Sequence, residues 1–600
     1  MSNDDRLILN ANLGRMNVVN FDKFSEYAIT TLRDISEMIL PLCGVDALHN
    51  LVIYRNMATE FTNNVFSNDG IHILKNMEHL SPIQTYIANY IRYIAERVER
   101  AAADGTSTAI YFASELISAV LTDVRGYRDT FPDGDITDVD SCRAVMHTTH
   151  EIANSVLKML RTLLKVTEKL VIDFKTIDPE LREALIYRLA YTTSKQNKLL
   201  TEYTVELFKD LPELLYEHTN YRRAQIETDE DLMIERPDHD VLVTVMASNN
   251  TVFNSKLGTE LLYESCDLLI CPKMFGKVDL LIQYFELREA DPIASKIPLI
   301  VLFNGADDNE YTRIVAHAKR EFVTVCRHTV YHPVFANNPL ELNVIQVMGG
   351  IEPIIQEEVL DFKTSILSGV KCRLYGKELY ISNLFDHETA PLHPSYVRDD
   401  FPSYTKLRLE IEERINTLRS AHNNKEHGPE INEFVRLYRN MICSRLPILT
   451  IGGSTINHLA NINVVDDVLG VVSVAMKHGV ILDLIPKLQR RLTVIRDCDF
   501  SKWLISFTGS VTDFSRLTYR CDDVCTKLKE TDLSTEEQRD YMFVNNKWVK
   551  LTVANKDDIV VVQSYRAISE TLLRLIETIP RIICTDRIIV PNSVMDNKKE

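Results

Sequence analysis

Residues Asp104-Gly105-Thr106-Ser107-Thr108-Ala109 set an acid and a glycine before three hydroxyl side chains, at the entrance to a strongly apolar stretch. Such a pattern suits a phosphate-binding loop. Free N–H groups of a helix's first turn face the anion, the glycine permits close approach, and the carboxylate holds a magnesium ion. The same residues also make an ordinary helix start, with Asp104 or Thr106 accepting one of those N–H groups. Two further acidic turns stand out. Asn68-Asp69-Gly70 precedes the apolar Ile71 to Leu74 and reads locally as a type I′ hairpin turn. Val465-Asp466-Asp467-Val468-Leu469 opens a helical run over 464–477, where paired acids suit the positive end of a helix dipole.

Spacing argues against several other chemistries. His147-Thr148-Thr149-His150-Glu151 is neither H-E-x-x-H nor H-x-x-E-H, and Asp386-His387-Glu388 with His393 fails in the same way. Gly452-Gly453-Ser454-Thr455 lacks the lysine of a P-loop. The close cysteine pairs, Cys266/Cys271 and Cys521/Cys525, lack the spacing of a zinc knuckle, so no structural metal is expected.

The elements that must position these residues fall into three zones along the chain. Periodic apolar positions over 84–100 (Ile87, Ile91, Ile94, Val98), 108–121 and 150–174 predict a helical layer. Short apolar runs over 241–245, 268–271, 298–303 and 322–326 predict buried strands, with helices over 278–290 and 310–320 between them, the alternation of an α/β unit. No G-x-G-x-x-G follows any of these strands, which disfavours a dinucleotide site. A polar, proline-containing connection over 386–402 leads to helices over 404–420 and 430–442, a short strand over 448–451 and a long final helix over 564–583, with a fraying tail over 592–600. Helical, α/β, helical is the order expected of an α/β unit inserted into a helical domain built from both chain ends.

At 600 residues, 45% apolar and 25% charged, the chain is globular in composition, about four domain-sized units at roughly 150 residues each. Lys and Arg number 67 against 85 Asp and Glu, and the resulting net charge of −18 argues against a nucleic-acid partner. No apolar run reaches the roughly 18 residues of a membrane span, and residues 1–6 carry two acids where a secretory leader would be basic. The 11 scattered cysteines fit reduced thiols. A cytoplasmic protein with no membrane partner is expected.

Taken in order, the acidic turns resemble the chaperonins, the 60 kDa chaperonin family. Asn68-Asp69-Gly70 with Ile73-Leu74-Lys75 is similar to the family's N-D-G-x-x-I-L-K segment. Asp104-Gly105-Thr106-Ser107-Thr108-Ala109 resembles its G-D-G-T-T-T-A phosphate loop. Ile451-Gly452-Gly453-Ser454-Thr455, Val465-Asp466-Asp467-Val468-Leu469 and Gly479-Val480-Ile481 resemble V-G-x-x-T, V-E-D-A-L and E-G-V-V. Departures point to a divergent, virus-encoded type, for which the host cytoplasm is the expected location. Ala103 stands for the first glycine of the phosphate loop, Ile39-Leu40-Pro41-Leu42-Cys43-Gly44 for T-L-G-P, and Asp483-Leu484-Ile485 for a triple glycine. The tail Met595 to Glu600 lacks a Gly-Met repeat.

The resemblance implies a multidomain α+β fold. It comprises a mainly α-helical equatorial ATP-binding and ring-contact domain (1–178 and 479–600), a small intermediate hinge domain (179–222 and 447–478), and an α/β apical client-binding domain (223–446) inserted between the chain halves. It implies an ATPase using ATP and Mg2+, with K+ as an optional further cation. Asp104 is the metal ligand, Gly70, Gly105, Thr106, Ser107 and Thr108 form the nucleotide cradle, and Asp69 and Asp467 are the catalytic acids, Asp467 orienting the attacking water. Asp557 or Asp558 is the ribose-facing acid, Asp558 being preferred, and Ile282 with Phe285 on the 278–290 helix bind unfolded clients. The expected assembly is a homo-oligomeric ring, with seven subunits favoured. Two rivals stand beside this: a chaperonin-fold ring that has lost turnover and serves as a scaffold, and an unrelated helical scaffold with chance acidic turns.

Overall fold

A computed structural model of the chain describes residues 16–43, 51–53, 65–67, 69–77, 81–130, 139–209, 211–216, 221–223, 232–235, 239–247, 260–271, 278–304, 308–318, 323–328, 340–351, 366–375, 377–384, 401–420, 424–442, 446–452, 455–484, 487, 537–544, 547–559, 561–585 and 587–591. They form two compact units, Met1–Phe208 with Thr455–Glu600, and Lys209–Ser454. Asn68, Gly44, Gly453, Ser454, Ile485, Cys521, Cys525, the His387–His393 cluster and the tail from 592 lie outside the described residues.

The first part of the chain is helical. Met16–Asn20 (β1) runs into Phe21–Ile39 (α1), and Leu51–Ile53 (β2) pairs antiparallel with Val65–Ser67 (β3). Gly70–Lys75 (α2), Pro82–Ala102 (α3), Thr106–Arg128 (α4), Val139–Lys169 (α5), Pro179–Thr193 (α6) and Lys198–Lys209 (α7) follow. A reciprocal cap starts α3: Ser81 Oγ accepts from the Gln84 N–H, the Gln84 side chain accepts from the Ser81 N–H, and Pro82 takes the first helical position. The Ile87, Ile91, Ile94 and Val98 face of α3 is fully buried. Helix α4 packs on α1 and α3 and buries apolar residues around most of its circumference, as a central helix must.

The inserted unit holds Tyr221–Arg223 (β4), Leu232–Glu235 (β5), Val241–Ala247 (β6), Glu260–Cys271 (β7), Val278–Ala290 (α8), Leu299–Phe303 (β8), Asp308–His317 (α9), Val323–His328 (β9), Leu340–Met348 (α10), Ile366–Tyr375 (β10), Glu378–Ser382 (β11), Pro402–Ser420 (α11), Asn424–Ile442 (α12) and Ile448–Ile451 (β12). The alternating pattern yields parallel β7–β8–β9 with α8 and α9 as crossovers. Local pattern did not reveal closure. β10 and β11 complete a barrel in the order β10-β11-β6-β9-β8-β7. Register shifts around Gly369, which has φ +75°, bend β10 as a bulge does and help the sheet curl. Leu269, Val301 and Val325 on the strands pack against Leu281 and Phe285 of α8 and Ile314 of α9.

The chain then returns to the first unit with Thr455–His478 (α13), Val480–Leu482 (β13), Tyr541–Val544 (β14), Lys547–Lys550 (β15), Val562–Ser564 (β16), Tyr565–Ile583 (α14) and Arg587–Pro591 (β17). β17 pairs antiparallel with β1, tying the two chain ends together. β13 pairs with β16, and α14 packs on α3 and α5. Helix α13 begins before the expected 464, so Asp466 and Asp467 lie in its middle and the helix dipole does not explain them. No helix among the described residues is long and apolar enough to cross a membrane.

Candidate functional site

Asp69-Gly70 starts a helix and is no hairpin turn. A type I′ turn needs positive φ at both central residues, whereas Asp69 has φ −88° and ψ 120° and caps α2. Its Oδ1 accepts from the Ile71 N–H at 3.1 Å and its Oδ2 from the His72 N–H at 3.3 Å. Gly70 is needed for closeness. A Cβ there would lie 2.8 Å from Ile110 Cδ1 and 3.2 Å from Ser107 Cα, so α2 seats directly on the first turn of α4.

Between α3 and α4 the chain turns in three residues. Ala103 ends α3 in the left-handed region (φ 60°), and Gly105, at φ 91°, leads into α4 without any side-chain cap. The α4 N-terminus thus offers its N–H groups to a ligand rather than to a side chain. Asp104 Oδ1 accepts from the Gly105 N–H at 2.5 Å, and Asp104 Oδ2 accepts from Thr193 Oγ1 at 3.0 Å. Thr106 Oγ1 donates to Asp69 Oδ1 at 3.1 Å. Hydroxyl groups therefore fix both acids at the same helix end.

Asp467 reaches this place because α13 crosses close to the loop. Gly470, one turn beyond it, sits where a Cβ would be 2.5 Å from Ala103 Cβ. Burial, then Asp104, Asp69, Glu99 and Asp466, push the Asp467 carboxyl up to about 8. Glu99 on α3 is likewise raised, by burial first and then by Asp69. Excess negative charge concentrated in one place favours a bound cation.

Asp69, Asp104, Gly105, Thr106, Ser107, Thr108 and Asp467 all line one cavity of about 200 Å³. Its remaining wall is largely apolar, with Leu42, Leu163, Val471, Leu484, Ile568 and Leu572 among the contributors. Lys195, Thr193 and Gln563 also line it, and sequence reading missed all three. Only the hydroxyl of Thr193 and the charge of Lys195 hinted at such roles, and neither residue is near the loop in sequence.

Three expected site residues are placed elsewhere. Asp558 is exposed at the end of the 3-10 stretch Val553–Asp558 and does not line the cavity; Gln563, five residues on, does. In the inserted unit, Phe285 is 3% exposed and belongs to the core with Leu269 and Val301, while Ile282 packs half-buried on the same cluster. The inward face of α8 follows Val278, Leu281 and Phe285, so a pair three apart could not show by itself which way it pointed. Leu280 and Leu287 are the exposed apolar residues of that helix, Leu287 at 71%, and Ile293 follows at 74%.

No group of three or more His, Cys, Asp or Glu side chains among the described residues forms a ready cage for a metal. The hard oxygen donors of Asp69 and Asp104 would fit a magnesium ion, which takes one or two carboxylates with other oxygens completing its shell.

No protein-family model matches the chain, and no curated protein matches it. Among solved structures the chain is similar to the chaperonin gp146 from the bacteriophage EL 2 (Pseudomonas aeruginosa), crystallised in the presence of ATP-BeFx. Crystal form II gives 13% identity and a TM-score of 0.42, covering 95% of this chain and 98% of that one. Crystal form I gives 13% identity and a TM-score of 0.41, covering 96% and 99%.

Proposed function

We propose that the protein is an ATP-dependent chaperonin that assembles into a ring and assists client folding, driven by Mg-ATP hydrolysis. The observation that carries this is the convergence of Asp69, Asp104 and Asp467 with the uncapped, hydroxyl-bearing start of α4 in one cavity. In this reading the α4 N–H groups and the Thr106, Ser107 and Thr108 hydroxyls hold phosphate oxygens. Asp104, fixed by Thr193, holds the metal, and Asp69, fixed by Thr106, stands beside it. Bound magnesium supplies charge neutralisation of the phosphates. The Asp467 carboxyl carries a proton near neutral pH without a cation, and it orients water once positive charge ionises it. Lys195 adds a cation to the same wall.

Ring assembly draws on two of the four two-stranded sheets among the described residues. Among the described residues β1–β17 and β2–β3 are each two-stranded sheets. Such ribbons are marginal alone and leave edges able to pair. A ribbon from one copy adding to the other ribbon of the next is a head-to-tail contact, the kind that closes rings. Client capture moves from Ile282 and Phe285 to the exposed Leu280 and Leu287 of α8. The equatorial, intermediate and apical boundaries at 178/479, 222/447 and 223–446 belong to the same proposal.

Electron microscopy and light scattering with and without ATP test it. A ring of several hundred kilodaltons that hydrolyses ATP is expected, and a stable monomer without nucleotide affinity overturns the proposal. A ring that binds ATP and never turns it over favours the scaffold alternative. Leu280→Ser with Leu287→Ser should abolish retention of an unfolded model client while leaving ring and ATPase intact.

A further inference from the structure

The cavity has a second end, and that end is apolar. Helices α4, α5 and α14 pack against one another pairwise, and between them the lining continues past the phosphate loop to Phe112, Leu160, Leu163, Leu572 and Leu575. At 1.5 Å per residue, Phe112 stands about 9 Å along α4 from Thr106, and Leu575 about 12 Å along α14 from Ala567. This lobe therefore lies well inside the helical layer. All five side chains belong to one buried core cluster, yet Phe112 and Leu572 each keep 8% of their surface accessible.

The chemistry of the lobe differs from that of the loop. Phe112 and the four leucines carry no hydrogen-bonding group, and Thr571, which also lines the cavity, donates its hydroxyl to Ala567 O at 2.8 Å. The ring nitrogens and amine of a nucleobase, or a ribose hydroxyl, would be buried here without side-chain partners, a cost that a hydrocarbon does not incur. Anions find their counter-groups at the other end, on the uncapped start of α4 and on Lys195. The whole cavity measures about 200 Å³, and an interior cavity of roughly 150 Å³ lined by Leu, Ile and Phe takes up benzene or xenon. The matching ligand is a small uncharged molecule with a hydrocarbon surface.

We propose that the lobe between α4, α5 and α14 is a binding site for a small uncharged apolar molecule, separate from the phosphate loop and able to be occupied at the same time. This goes beyond the Mg-ATP reading and does not depend on it. Such a ligand packs on Phe112, on the same helix whose first turn forms the loop, and stabilises the folded chain by dispersion contacts with the core.

The test is benzene binding to the full-length protein, read as melting temperature and as ligand bound per chain by headspace partitioning, with and without Mg-ATP. The wild type should take up about one benzene per chain and melt about 1 to 3 °C higher at saturation. Leu572→Phe, which places ring carbons in the lobe, should lose both the uptake and the shift. Leu280→Ser with Leu287→Ser, on the exposed face of α8, should keep both. If Leu572→Phe folds poorly, Phe112→Leu decides, because its enlarged lobe should bind n-butylbenzene several-fold more tightly than the wild type does. No benzene shift in the wild type, an equal shift in folded Leu572→Phe, equal n-butylbenzene affinity in Phe112→Leu, or loss of uptake in the α8 variant overturns the inference. Displacement of benzene by Mg-ATP assigns the lobe to the nucleotide and overturns it as well. A wild type that binds benzene in this pattern and never binds ATP overturns the Mg-ATP reading alone.

Discussion

Asp467 and Glu341 are both half-buried carboxylates, one in each unit, and their environments move them in opposite directions. Burial raises Asp467, and Asp104, Asp69, Glu99 and Asp466 push the same way, to about 8. Burial also works to raise Glu341, but the hydrogen bond with His328 and the charge of Arg436 outweigh it and hold the carboxyl below its usual value. His328 Nε2 lies 2.5 Å from Glu341 Oε2 and Arg436 Nη1 lies 2.7 Å from Oε1, and Arg436 also pairs with Glu433. The same burial thus has two outcomes. In the barrel unit charge is neutralised internally, so removing one partner of the cluster leaves a buried charge uncompensated. In the cavity unit like charges are held together by hydroxyl and amide donors, an arrangement that a bound cation completes.

The largest expected effect tests the cavity side of this contrast. Asp467→Ala should bind Mg-ATP nearly normally and hydrolyse it about 10² to 10⁴-fold more slowly in single turnover, whereas Asp104→Ala should weaken metal-dependent binding itself. Wild-type turnover in the Asp467 variant would remove that residue from the chemistry. The same carboxyl fixes a pH signature. Its folded value lies above the ordinary 3.8, so between about pH 4 and 8 the folded state binds more protons and stability falls as pH rises. Without metal or nucleotide, Asp467→Asn should flatten that decline and melt above the wild type at about pH 9.

Glu341 should show the reverse. A depressed carboxyl contributes stability above its unfolded value of 4.5 and loses it as pH falls below. Glu341→Gln should lower the unfolding free energy in urea by about 1.5 to 3 kcal/mol, with ATP affinity unchanged. A Glu341 variant as stable as the wild type would erase the contrast.

Packing between α13 and the loop gives a smaller effect. Gly470→Ala should cost about 1 to 3 kcal/mol by overpacking against Ala103, and adding Ala103→Gly should recover most of it in a double-mutant cycle. Smallest is Thr193→Ala, which leaves Asp104 Oδ2 without its hydroxyl. Metal-dependent ATP affinity should fall by up to about tenfold, and Thr193→Ser should restore it.

Local residue order was enough to mark the Asp104–Thr108 loop and to outline α3, α8, β8 and β9 and the end of β7, because caps, glycines and apolar periods act over a few residues. It could not choose between the faces of α8. Ile282, Phe285, Leu280 and Leu287 are all apolar, and only the barrel behind the helix decides that Phe285 is core and Leu287 is surface. Nor could it show that Asp69 would be a cap, that α13 would carry Asp467 in its middle, or that β10 and β11 would close a barrel. The cavity depends on distant partners. Thr106 reaches Asp69 across 37 positions and Thr193 reaches Asp104 across 89, while Gln563 and Lys195 enter the wall from segments with no motif of their own. Amino-acid types along the chain therefore settle which segment sets an acid, a glycine and three hydroxyls at a helix start. Which hydroxyl steadies which acid, and what faces the far wall, is decided only when helices remote in sequence pack against one another, since side-chain bonding acts over a few ångströms whatever the separation along the chain.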